Sequence, residues 1–88
     1  MTDGTDRAAV TLAEWPDDAD IDEGVVVNWF VREGKHVDAD DSLCEVQIEK
    51  VSVDVFAPVA GTLAEVVAGE DAEFARGDTL AWITPDAE

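Results

Sequence analysis

Short apolar runs, separated by glycine, aspartate and proline, begin at Val10 and continue to the end of the chain: residues 10–15, 25–31, 43–48, 51–57, 62–68 and 80–84. They are rich in Val, Leu, Ile and Trp, about as long as ordinary strands, and closely spaced, which predicts the strands of a small sandwich or barrel. No segment has an apolar stripe at helical spacing, and residues 38–42 could form at most one tight turn. The expectation is an all-β fold.

The runs also repeat at a constant offset of 37 residues without a gap. Gly24, Glu33, Asp41 and Leu43 recur as Gly61, Glu70, Asp78 and Leu80, and Val26/Leu63, Trp29/Val66, Val37/Phe74, Ser42/Thr79 and Val46/Ile83 are similar pairs. Two copies of one unit, each with an exposed apolar face, bury those faces against one another about a pseudo-twofold axis. This predicts a flattened sandwich of two small antiparallel sheets. The same offset carries Lys50 to position 87, so the chain ends are expected at the end of the domain opposite Lys50.

Composition narrows the class. Eighty-eight residues suit one domain, divided here into an acidic leader (1–9), a folded body (10–85) and a short tail (86–88). One cysteine excludes an internal disulfide, and no Cys/His cluster offers a structural metal site, so apolar burial has to hold the fold. The sequence contains no apolar run long enough for a membrane helix and no secretory signal, which predicts a cytoplasmic protein with no membrane partner. A net charge of −17 leaves too few cations to bind phosphates, so nucleic acid is excluded as a partner. Acidity spread along a patterned, foldable chain points instead to a halophilic source, where salt screens self-repulsion.

Against that composition each of the two lysines needs a reason. Lys35 lies in the polar loop Arg32-Glu33-Gly34-Lys35-His36 and reads as a solvated charge. Lys50 is placed differently, between two alternating segments separated only by Glu49-Lys50. Val51, Val53 and Val55 share one face of the second segment, opposite Ser52 and Asp54, and Val46 and Ile48 match that inward set in the first. A two-residue connection makes a tight hairpin, whose primed turns favour Gly or Asn. Neither is present. Two explanations remain open on pattern alone: a charged turn that discourages edge aggregation, or a lysine displayed for modification.

From Trp15-Pro16 to Pro85 the chain resembles the biotinyl/lipoyl-attachment family, and specifically the lipoyl domains of 2-oxoacid dehydrogenase complexes. Glu23-Gly24-Val25-Val26 is similar to the family's Glu-Gly strand, and 31–37 to its Glu-Gly-Asp loop. Residues 43–51 resemble the acceptor hairpin, whose usual core is Asp-Lys-Ala or Asp-Lys-Val, and Ala57-Pro58-Val59-Ala60-Gly61 resembles the segment that opens the second half. Biotin carriers of the same fold usually flank their lysine with methionine; the neighbours here are Glu49 and Val51. The resemblance therefore implies lipoic acid attached as an amide on Lys50, with Glu49 and Val51 as flanking recognition residues. Glu49 departs from the usual Asp, and Gln47 stands where many members carry an acid.

The implied role is a carrier and not an enzyme: a monomeric domain whose arm shuttles acyl groups and reducing equivalents. Its implied partners are a lipoate ligase or lipoyl transferase, dihydrolipoamide dehydrogenase, and 2-oxoacid dehydrogenase and acyltransferase subunits. A biotin carrier, a glycine-cleavage-type lipoyl carrier and an unmodified interaction domain of the same fold are the rival readings. Cys44 shares the inward parity of Val46 and is expected in the core, while His36 is expected in a loop without a catalytic neighbour. Trp15, Trp29 and Trp82 are read as packing residues, and Gly24, Gly34, Gly61, Gly69 and Gly77 as turn positions.

Overall fold

The computed structural model describes residues 7–12, 15–16 and 21–86. Eight strands form there: β1 (Ala8–Val10), β2 (Glu23–Trp29), β3 (His36–Val37), β4 (Ser42–Ile48), β5 (Val51–Phe56), β6 (Gly61–Val66), β7 (Glu73–Ala75) and β8 (Ala81–Pro85). They make two four-stranded antiparallel sheets, β5-β4-β2-β7 and β1-β8-β6-β3. Val26, Leu43, Val46, Ile48, Leu63, Leu80 and Ile83 are fully buried between them. This is the flattened all-β sandwich that the alternation predicted.

The 37-residue offset is visible in individual hydrogen bonds. Val26 N donates to Ala72 O at 2.9 Å, as Leu63 N does to Lys35 O at 2.9 Å; Phe30 N donates to Leu43 O at 2.8 Å, as Val67 N does to Leu80 O at 2.9 Å. The register shifts match too, falling between Val26 and Asn28 in β2 and between Leu63 and Glu65 in β6. The repeated aspartates do the same job in each half. Asp41 Oδ2 accepts from Asp38 N, and Asp78 Oδ2 accepts from Ala75 N, each at 2.9 Å, closing the turn before the following strand. Each half lends its short strand to the other's sheet, since β3 pairs with β6 and β7 with β2.

Several local expectations need correction. The first strand is Ala8–Val10, not 10–15: it begins within the stretch read as leader, while Thr11 and Leu12 have left the ladder and Ala13–Glu14 lie outside the described residues. Its place is set by β8, where Ala8, Ala9 and Val10 face Ile83, Trp82 and Ala81 just as Val53, Asp54 and Val55 face Val46, Glu45 and Cys44. β3 and β7 were not expected, because two or three residues are too few to show an alternation. His36 consequently lies in a strand. Gly24 and Gly61 are strand residues and not turn residues, each facing a residue of a neighbouring strand in its own sheet, Phe74 in β7 and Pro85 in β8. A Cβ on Gly24 would stand 2.9 Å from the Phe74 ring, and one on Gly61 would stand 2.8 Å from Pro85 Cα and collide with the Thr84 carbonyl.

The ends of the described chain lie together, away from the β4–β5 turn. Ala8 pairs with Ile83, and Asp86 N donates to Ala60 O at 3.1 Å. Ala60 follows β5, whose six residues lead away from that turn over about 20 Å.

Candidate functional site

Ile48 pairs with Val51, so Glu49-Lys50 is the two-residue turn of the β4–β5 hairpin. Glu49 takes the left-handed conformation at φ 56 and Lys50 does not. Positive φ at the first central position alone is the sense of a II′ turn, which normally places glycine there. A non-glycine residue in that conformation costs about 1–2 kcal/mol. The Gln47 side-chain amide offsets part of this by donating to Glu49 O at 3.0 Å, bracing the turn from the outer face of β4.

Lys50 is exposed at the apex. None of the ion pairs or side-chain hydrogen bonds seen among the described residues involves it. A surface charge kept for stability would be expected beside an acid, and Glu45, Asp54, Glu23 and Glu73 all lie on the same sheet without engaging it. Burial along β5 fades toward the turn: Val55 is buried, Val53 half-buried and Val51 exposed at 44%. Val51 has the inward parity assigned to it, but the sandwich core ends before reaching it. An apolar side chain beside an unengaged amine is thus left on the surface.

Beside the turn lies a groove of about 210 Å³ lined by Ile21, Glu23, Gly24, Val25, Gln47, Glu49 and Glu73. Its outer wall is held in place. Trp15 Nε1 donates to Ile21 O at 3.0 Å, and the Trp15 ring meets Phe74 edge-on with centroids 6.0 Å apart. The Arg76 guanidinium lies 5.9 Å from the centre of the Trp15 ring and 3.7 Å from Asp22. Sequence reasoning missed this groove. The signal was Val25, an apolar side chain at the polar parity of β2, next to buried Gly24 and Val26.

The other candidates stand apart from the turn. Cys44 is fully buried, and desolvation, with a smaller push from Asp54, raises its thiol to about 12, so it remains protonated and inert. His36 Nε2 is 3.0–3.1 Å from the Asp86 carboxylate at the far end. That hydrogen bond, followed by the charge of Asp86, raises the imidazole pKa from 6.5. Lys35 is solvent-exposed, and Trp29 Nε1 donates to Ala68 O at 2.8 Å.

A two-sheet sandwich that presents a lysine on a tight turn, with Ala8 and Asp86 at the opposite pole, is the architecture of a carrier domain. The biotin/lipoyl family, described as "Biotin-requiring enzyme", matches residues 15–83, and this chain belongs to it. A relative in Staphylococcus aureus, the dihydrolipoyllysine-residue acetyltransferase component of pyruvate dehydrogenase complex, is 44% identical over 69 residues. That alignment covers 77% of this chain but only 16% of the relative. Among solved structures, the lipoyl domain of the 2-oxoglutarate dehydrogenase complex from Azotobacter vinelandii is 27% identical with a TM-score of 0.70, covering 91% of this chain and all of that one. A single-chain, multi-domain long-chain acyl-CoA carboxylase shares the fold, with a TM-score of 0.74 at 20% identity, over the whole of this chain and 8% of that one.

Proposed function

We propose that Lys50 is the attachment point for lipoic acid and that the domain works as a lipoyl carrier in a 2-oxoacid dehydrogenase-type complex. The observation that carries this reading is the exposed, unengaged ammonium of Lys50 on a turn whose left-handed position is held by Glu49, where glycine would be less strained. Glu49 and Val51 then serve as the features by which a lipoate ligase or lipoyl transferase recognises the turn. The amine loses its charge on forming the amide, and no ion pair has to be broken for it to react. When bound, lipoate supplies a disulfide that takes up electrons and a carried group from one partner, passes the group on at a second, and gives up the electrons at a third to become a disulfide again.

The chain's own part is display. The hairpin projects the arm from the pole opposite Ala8 and Asp86. The acidic residues near the turn favour partners with basic entrances. The partners on this reading are the dehydrogenase and acyltransferase subunits and dihydrolipoamide dehydrogenase.

Co-expression with a lipoate ligase followed by intact-mass measurement tests the assignment. The wild-type chain is expected to gain one lipoyl group, and Lys50→Arg to gain none with an unchanged unfolding midpoint. A biotinyl adduct, or a lipoyl group on Lys35, would overturn it.

A further inference from the structure

The row of residues beside the Glu49-Lys50 turn has a counterpart at the far end of the molecule, at the same offset of 37. Glu73, Val25 and Gln47 face one another across β7, β2 and β4, as His36, Thr62 and Thr84 do across β3, β6 and β8. Glu49 corresponds in the same way to Asp86. At the far end the row is spanned by a contact: His36 Nε2 lies 3.0–3.1 Å from the Asp86 carboxylate, although β6 stands between β3 and β8. An imidazole, cationic when protonated, thus meets a carboxylate there.

Near Lys50 the chain does not supply that cation. Position 73 is Glu, so a carboxylate stands in the place of the imidazole, and Glu23 and Glu49 add two more to the lining of the groove. None of the ion pairs among the described residues reaches Glu23 or Glu73. Carboxylates gathered round one opening repel each other, and a cation between them relieves the repulsion. The rest of the lining is largely apolar: Ile21 and Val25 are both exposed, and the counterpart of Val25 at the far end is the polar Thr62.

We infer that the groove is a socket for one long basic side chain, lysine or arginine, of a partner protein that meets the Lys50 pole. The alkyl stem of such a side chain lies on Ile21 and Val25 while its charged head takes the place that His36 holds in the other half. At about 210 Å³ the groove is smaller than the ~300–1,000 Å³ typical of drug-sized ligands, which suits a single side chain. Its wall is already ordered, since Trp15 holds Ile21 and is itself held by Phe74 and Arg76, so little entropy is lost on filling it. A second copy of this chain is disfavoured as the source, because each copy carries a net charge of −17. The socket goes beyond the carrier reading, for it needs no group on Lys50. Its effect is to fix which side of the turn faces the partner.

The test titrates the isotopically labelled, unmodified chain with butylguanidinium chloride at low ionic strength, and separately with butan-1-ol as a neutral molecule with the same stem. NMR shifts that saturate are expected at the Ile21 and Val25 methyl groups and the Glu73 amide with butylguanidinium, and not with butan-1-ol. Glu73→Gln should weaken binding by up to about fivefold, the loss of one exposed ion pair. Glu73→His rebuilds the far-end pair, and should abolish binding at pH 6 and restore it at pH 9, where the imidazole is neutral. Glu23→Gln, expected to weaken binding like Glu73→Gln, serves should the histidine variant fail to fold. Asp54→Asn, on the same sheet but outside the groove, should change nothing. An equal loss in that variant would reduce the effect to the general charge of the chain and overturn the socket, as would saturation by butan-1-ol or shifts that never saturate. Failure of Lys50 to take up lipoate leaves these outcomes untouched, so the two readings fall separately.

Discussion

The half built on β2 and β4 and the half built on β6 and β8 share their hydrogen bonds far more than their side chains. Residue 34 in the first and residue 71 in the second are both left-handed, yet one is Gly (φ 90) and the other Asp (φ 69). At the next turn the residues trade places, with Asp40 at φ 72 and Gly77 at φ 89. The backbone path is therefore what the two halves hold in common, and either residue that tolerates the left-handed region satisfies it. What separates the halves is where they lead: β4 runs directly into the Glu49-Lys50 turn and β5, whereas the strand beside β8 is β1, supplied from earlier in the chain.

The sharpest way to break the equivalence is at the paired glycines. Gly61→Ala places a methyl against backbone atoms of Thr84 and Pro85, which cannot move without disturbing the β6–β8 ladder, and is expected to cost about 3 kcal/mol. Gly24→Ala meets the end of the Phe74 ring and an Ile48 side-chain carbon, which can yield, and should cost about 1–2 kcal/mol. Urea unfolding midpoints of the two variants check the order, and equal losses would mean that both sites are limited by the same kind of contact.

A smaller effect is expected at the left-handed turns. No atom stands near where a Cβ would sit on Gly34 or Gly77, so the cost of substitution there is conformational. Gly34→Ala should lose about 1 kcal/mol, and Gly34→Asp less, since Asp71 already holds that geometry in the other half. Thermal melts of the pair decide this, and an Asp variant less stable than the Ala variant would contradict it.

The smallest effect belongs to the far end. His36 has a pKa raised in the folded state by its hydrogen bond to Asp86, so its contribution is fully present below the unfolded value of 6.5 and is lost as pH rises through the higher folded value. The difference in melting temperature between wild type and His36→Gln should shrink across that window, and shrink further in concentrated salt. A difference independent of pH would remove the ion pair from the account.

Strands long enough to alternate were legible in the sequence, and so was the β4–β5 turn, because Glu49-Lys50 is framed by two such strands. The strand from Ser42 to Ile48 and its partner from Val51 to Phe56 fall within a residue of expectation. The misplaced and missed elements are those set by pairing and not by their own residues. Ala8–Val10 is fixed by β8, and His36–Val37 and Glu73–Ala75 by the strands they cross over to join. The groove escaped notice for a related reason. It is assembled from Trp15, Ile21, Val25, Gln47 and Glu73, which lie far apart in the chain and carry no shared periodicity.

The gap-free equivalence also bears on ancestry. A peptide spanning 23–59 already contains a three-stranded antiparallel unit, the turn that closes it, and a short strand that belongs in a neighbour's sheet. Two such peptides could interlock by exchanging those short strands, giving a symmetric homodimer with a copy of Lys50 at each pole. Fusion of two copies, followed by loss of one pole, would leave a descendant with a single such turn. Sedimentation of the synthetic 23–59 peptide at twice its own mass is the expected sign that such an ancestor was physically viable.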